Sequence, residues 1–100
     1  MKIIIQFVQI ASSKTMEAYT TEKLNKLDKK YDTLINANVF FKKEKDPKGK
    51  GNICEIELSI AGPRIFASSN EKNYELAVKN TISDLEKQLE KRKSTLKPYL

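Results

Sequence analysis

The sequence predicts an α+β domain with the order β-α-β-β-β-α, a four-stranded mixed sheet with two helices packed on one face. Three observations carry this expectation. A β-branched apolar run opens the chain at 2–10, two stretches repeat apolar residues at three- and four-residue steps, and three others alternate apolar and polar residues. Each helix has one apolar stripe and needs a sheet face to cover it, so a shared face leaves the other to solvent.

In chain order, 2–10 sets Ile3, Ile5 and Phe7 against Ile4, Gln6 and Val8, a strand buried on one face and partly on the other. Ala11-Ser12-Ser13 breaks the run and offers Ser12 or Ser13 as a helix cap. Met16, Thr20, Leu24, Leu27 and Tyr31 mark the first helix, which 32–35 closes. The second strand, 36–44, sets Ala37, Val39 and Phe41 against Asn38, Phe40 and Lys42. The turn KDPKGKG at 45–51 follows, starting at Asp46-Pro47. Strand three, 52–60, turns Cys54, Ile56, Leu58 and Ile60 inward and Glu55, Glu57 and Ser59 outward. Ala61-Gly62-Pro63 is a tight turn, and 64–68 a short fourth strand.

The long helix, 70–93, carries Tyr74, Ala77, Val78, Thr81, Ile82, Leu85 and Leu89 on one stripe. Its start is assigned to Asn70 as cap, or to a box of Ser68 with Glu71. The crossover from strand one to strand two makes them parallel, and two hairpins make strands two to four antiparallel. A single domain is expected over 1–93, with a short basic tail at 94–100 in which Pro98 prevents further helix.

Composition narrows the function. With 39% hydrophobic and 32% charged residues the chain is globular rather than disordered. A formal net charge of +6 and a pI near 9.4 point to an anionic partner. No apolar run spans a bilayer and no signal-peptide core follows Met1-Lys2, so a cytoplasmic protein with no membrane partner is expected. The sequence has no histidine, which removes the usual base of a nucleophilic triad and the commonest metal ligand. Cys54 reads as a small core residue, and Glu55 with Glu57 as a solvated strand face. No enzyme activity, cofactor, metal or small-molecule substrate is therefore expected.

The basic residues are grouped. Lys23, Lys26 and Lys30 form a stripe along the first helix; Lys87 and Lys91 flank the apolar stripe of the second, and Arg92 and Lys93 extend that cluster. Glu75, Glu86 and Glu90 lie on the other flank. One cation suits a helix C-terminus; a cluster suits an anionic ligand. For Lys48-Gly49-Lys50-Gly51, a flexible hairpin tip and an RNA-phosphate contact fit the sequence equally well. Tyr19, Tyr31 and Tyr74 fall at or beside the apolar stripes, whereas Phe40 and Phe66 fall on the face away from the helices and could mark a contact surface.

Residues 19–31 (YTTEKLNKLDKKY) and 62–93, with Gly62, Ala67, Tyr74, Ala77, Leu85, Gln88, Leu89, Lys91 and Lys93 in register, carry a family pattern. Over essentially its whole length the chain resembles the short form of the ribosome hibernation promoting factor family. That group also takes in the ribosome-associated translation inhibitor and proteins labelled sigma-54 modulation proteins. It departs at Asn73, where an acid is common, and at Lys87, where arginine often stands and would grip phosphate bidentately.

The resemblance implies binding to the small ribosomal subunit in the channel used by messenger and transfer RNAs. Translation would be blocked and idle ribosomes stabilised in stress or slow growth. It also implies ribosomal RNA contacts from Lys23, Lys26, Lys30, Lys87, Lys91, Arg92 and Lys93. A double-stranded RNA-binding module starts its second helix with lysines, unlike Asn70-Glu71-Lys72-Asn73 here. A transcription-modulating protein-interaction domain would use Phe40 and Phe66, and an acylphosphatase-like enzyme would need a phosphate loop around Arg64.

Overall fold

The computed structural model describes residues 1–62 and 64–96, the side chains of 93–96 excepted. Its order is β1 (Lys2–Phe7), α1 (Lys14–Lys30), β2 (Leu34–Lys43), β3 (Asn52–Ile60), β4 (Arg64–Glu71) and α2 (Tyr74–Leu96). The strands lie in the order β1-β2-β3-β4, with β1 parallel to β2 and the other two pairs antiparallel. The expected fold class is the observed one.

Strand alternation sorts the side chains. Ala37, Val39, Phe41, Cys54, Ile56, Leu58, Ile60, Ile65 and Ala67 are buried beneath the helices, with Ile3, Ile5 and Phe7 packed against them. Leu24 and Leu27 enter from α1, and Ala77, Val78, Thr81, Leu85 and Leu89 from α2. The helices sit at different heights. Small residues (Ala67, Cys54, Ala77, Thr81) let α2 approach β3 and β4 closely, whereas bulkier chains hold the α1 backbone off the sheet. Phe41 stacks on Phe7 at 5.2 Å between centroids and meets the edge of Tyr74 at 5.6 Å. The Tyr74 hydroxyl donates to the Lys42 carbonyl at 2.8 Å.

Several boundaries differ from expectation. β1 stops at Phe7 because the chain bends at Val8–Ile10, where Gln9 is left-handed at φ 58°. α1 is capped by Ser13, whose Oγ accepts from the Met16 N–H, but it ends at Lys30. Tyr31 is already extended, and Leu34 pairs with Ile60 instead of closing the helix. β4 runs on to Glu71 because its polar end still has a partner in Asn52–Glu55. Asn70 and the Ser68/Glu71 box therefore do not cap α2. Asn73 does, accepting from the Leu76 N–H at 2.7 Å. α2 continues through Leu96, so 94–96 prolong it; 97–100, including Pro98, and Pro63 of the expected turn lie outside the described residues.

Candidate nucleic-acid interface

The helices run side by side in the same direction. Lys30 near the end of α1 donates to Glu86 at 2.5 Å, Tyr31 donates to Glu90, and Tyr19 near the start of α1 feels the charge of Glu75. Glu75 and Glu86 lie about 20° apart around the helix, so one acidic flank of α2 faces α1. Lys91 is about 140° round from Glu86 and Lys87 about 100°, away from α1.

This fixes where each expected contact residue sits. Lys23, half-buried, holds its ammonium 5.4 Å from the Tyr19 ring. Lys26 is exposed and reaches Glu22 at 3.4 Å. Lys30 lies over the Tyr31 ring at 5.7 Å, and its bond to Glu86 holds its ammonium above the usual lysine value. The three share α1, but among the described residues only Lys30 meets an α2 acid; Lys26 pairs within α1 and Lys23 with the Tyr19 ring. Lys87 and Lys91 are exposed on the other flank. The two groups occupy neighbouring helices with carboxylates between them. The side chain of Lys93 lies outside the described residues.

Two residues place the α2 group. Gln88 donates from Nε2 to the Phe66 carbonyl at 2.9 Å, tying the helix to edge strand β4. Arg92 lies across the turn between β3 and β4, where a Cβ on Gly62 would stand 3.3 Å from its Nη2. Gly62 also has φ +119°, which a side chain would strain. Arg92 is half-buried, and it is placed there rather than extended into solvent.

Burial pushes the Tyr31 hydroxyl up to about 12, helped by the hydrogen bond to Glu90. Burial likewise pushes the Cys54 thiol up to about 12, so it is held as an unreactive thiol. Among the described residues no cluster of three or more histidine, cysteine or acidic side chains could hold a metal ion. No described helix is long and apolar enough to cross a membrane.

The open sheet face holds Phe66, 53% exposed, and half-buried Phe40, as their positions predict. They form no continuous aromatic platform. By register Phe40 faces Glu55 and Phe66 faces Glu57, and those acids pair with Lys42 at 2.9 Å and Arg64 at 3.4 Å. The sequence reading did not anticipate that the acidic flank of α2 faces α1, since flank polarity is visible on a helical wheel but the neighbour is not. The role of Gln88 was also missed, because a side chain bonded to an edge carbonyl leaves no periodic signal.

These features define a small α+β domain with a basic helical layer over a mixed sheet. The family described as "Sigma 54 modulation protein / S30EA ribosomal protein" matches residues 3–97, and the chain belongs to that family. Two solved structures share the fold. A ribosomal subunit interface protein from Coxiella burnetii is 23% identical, with a TM-score of 0.81 and coverage of 94% of this chain and 99% of the other. The N-terminal domain of Protein Y from Thermus thermophilus is 20% identical, with a TM-score of 0.74 over 91% and 98% of the two chains. No curated protein matches the sequence.

Proposed function

We propose that this protein is a ribosome hibernation factor of the cytoplasm. It binds the small ribosomal subunit in the channel for messenger and transfer RNAs, blocks translation and stabilises idle ribosomes under stress or slow growth. Family membership over residues 3–97 carries the reading, and the fold shared with a ribosomal subunit interface protein supports it. The contacts are assigned to Lys87, Lys91, Arg92 and Lys93 on α2 and to Lys23, Lys26 and Lys30 on α1.

The mechanism is occupancy. Ammonium and guanidinium groups neutralise phosphates and release their condensed counterions, giving affinity without reading sequence. Structured RNA is recognised by shape, and a rigid two-layer domain offers a fixed one. No covalent step is involved. Lys87 and Lys91 present their charge on the flank of α2 turned away from α1. On α1, Lys26 and Lys30 must exchange carboxylate partners for phosphate, while Lys23 stands over the Tyr19 ring.

The test is sedimentation with separated small subunits over a salt series, comparing wild type with Lys87→Glu/Lys91→Glu/Arg92→Glu. Co-sedimentation that weakens with salt and disappears in the variant is expected. Wild type remaining at the top of the gradient at low salt would sink the reading and turn attention to a protein partner for Phe66.

A further inference from the structure

We propose that the hairpin between β2 and β3 is a second phosphate-binding element, so that the protein grips RNA at both ends of its sheet. This rests on the ribosomal RNA reading above and adds a site to it. The sequence left the hairpin open between a flexible tip and a contact; the structure makes it a built turn.

Asp46 accepts from the Lys48 N–H through Oδ1 at 2.7 Å and from the Gly49 N–H through its carbonyl at 3.1 Å, with Pro47 between them. The Glu44 N–H donates to the Gly51 carbonyl at 2.9 Å and closes the loop. Asn70 on β4 clamps it from the side, accepting from the Gly51 N–H at 2.7 Å and donating to Glu44 at 3.1 Å. Gly51 is required there: at φ +116° a Cβ would stand 2.2 Å from the Glu44 carbonyl oxygen. Both acids of the hairpin are thus used in holding its shape.

The lysines are left for something else. Lys45, Lys48 and Lys50 are exposed on a turn whose backbone is already fixed, so ordering them on a ligand costs less entropy than on a mobile loop. Lys43, bonded to Asn52 at 2.8 Å, stands at the base, and Lys72 follows Glu71, the register partner of Asn52. The hairpin lies at the end of the sheet opposite Gly62 and Arg92. The nine residues of β3 separate the two ends by about 30 Å. Two basic groups that far apart suit separate segments of folded RNA. A membrane surface fits less well, because 44–51 offers no large apolar side chain to insert.

The experiment compares wild type, Lys45→Gln/Lys48→Gln/Lys50→Gln and Lys87→Gln/Lys91→Gln/Arg92→Gln for binding to small ribosomal subunits between about 50 and 200 mM salt. Circular dichroism and urea midpoints verify that each variant folds. The expected result is that the hairpin variant binds roughly tenfold or more weakly at low salt, with its log–log salt slope reduced by about two to three. Wild-type affinity and slope in the hairpin variant, with loss confined to the α2 variant, would overturn the second site and leave the ribosomal reading intact. Failure of wild type to bind subunits would remove both. Vesicles of phosphatidylserine and phosphatidylcholine are run in parallel. Vesicle binding that needs the hairpin lysines while subunit binding does not would assign the loop to lipid and overturn the proposal.

Discussion

Thr20 is fully buried, and its hydroxyl has no hydrogen-bond partner among the described residues. Thr20→Val, of the same shape, should therefore raise stability by about 1 kcal/mol in urea unfolding, because it removes an unpaired buried group without opening a cavity. Gly51 is the opposite case. Gly51→Ala forces a left-handed φ and an overlap with the Glu44 oxygen, and should cost about 1–3 kcal/mol in the same assay. Tyr31 and Cys54 set the alkaline limit. Both bind their protons more tightly folded than unfolded, with values pushed up to about 12 from 10.0 and 9.0. Their contributions are complete below the unfolded values and are lost as pH rises from about 9 toward 12. Urea midpoints should fall across that window, and less so in Tyr31→Phe. The inward position of Cys54 was legible from strand alternation alone. The orphaned hydroxyl of Thr20 was not, since a threonine on an apolar stripe looks the same whether or not a carbonyl is in reach.

The elements differ in how firmly they are held. α2 lies close on β3 and β4 through small buried residues, while α1 rides on longer, partly exposed chains such as Met16 and Tyr19. Amides of α1 should exchange with deuterium faster than those in the middle of α2. The seam between the helices gives a sharper prediction. Glu86→Gln leaves Lys30 without its carboxylate, so affinity for small subunits should rise and the salt slope steepen by about one. Tightened binding would show that Lys30 is restrained by α2; unchanged binding would take Lys30 out of the interface. Periodicity made both helices legible. It misplaced the start of α2 because Asn70 and Asn73 are equally good caps in sequence, and only the pairing of β4 with β3 spends the first on the hairpin.

At the scale of the molecule, the topology followed from two facts readable in the chain: a crossover helix after strand one, and short turns thereafter. The charge layout was only half readable. Lysine positions on each helix were evident, but their relation across helices depends on the rotation of α1 and α2 about their axes, which packing sets and spacing does not. A single sign of net charge also hid the carboxylates of Glu86 and Glu90 standing at the seam between two basic groups.

The parallel course of α1 and α2 has an electrical consequence. Both helices start at the hairpin end of the sheet and finish at the Arg92 end. Their peptide dipoles do not cancel, and each contributes roughly half a positive charge at its start and half a negative one at its finish. The backbone itself therefore adds to the lysines at one pole and subtracts from those at the other. Equal numbers of cations at the two ends are not equal grips, and the molecule has an electrical head and tail before any side chain is counted.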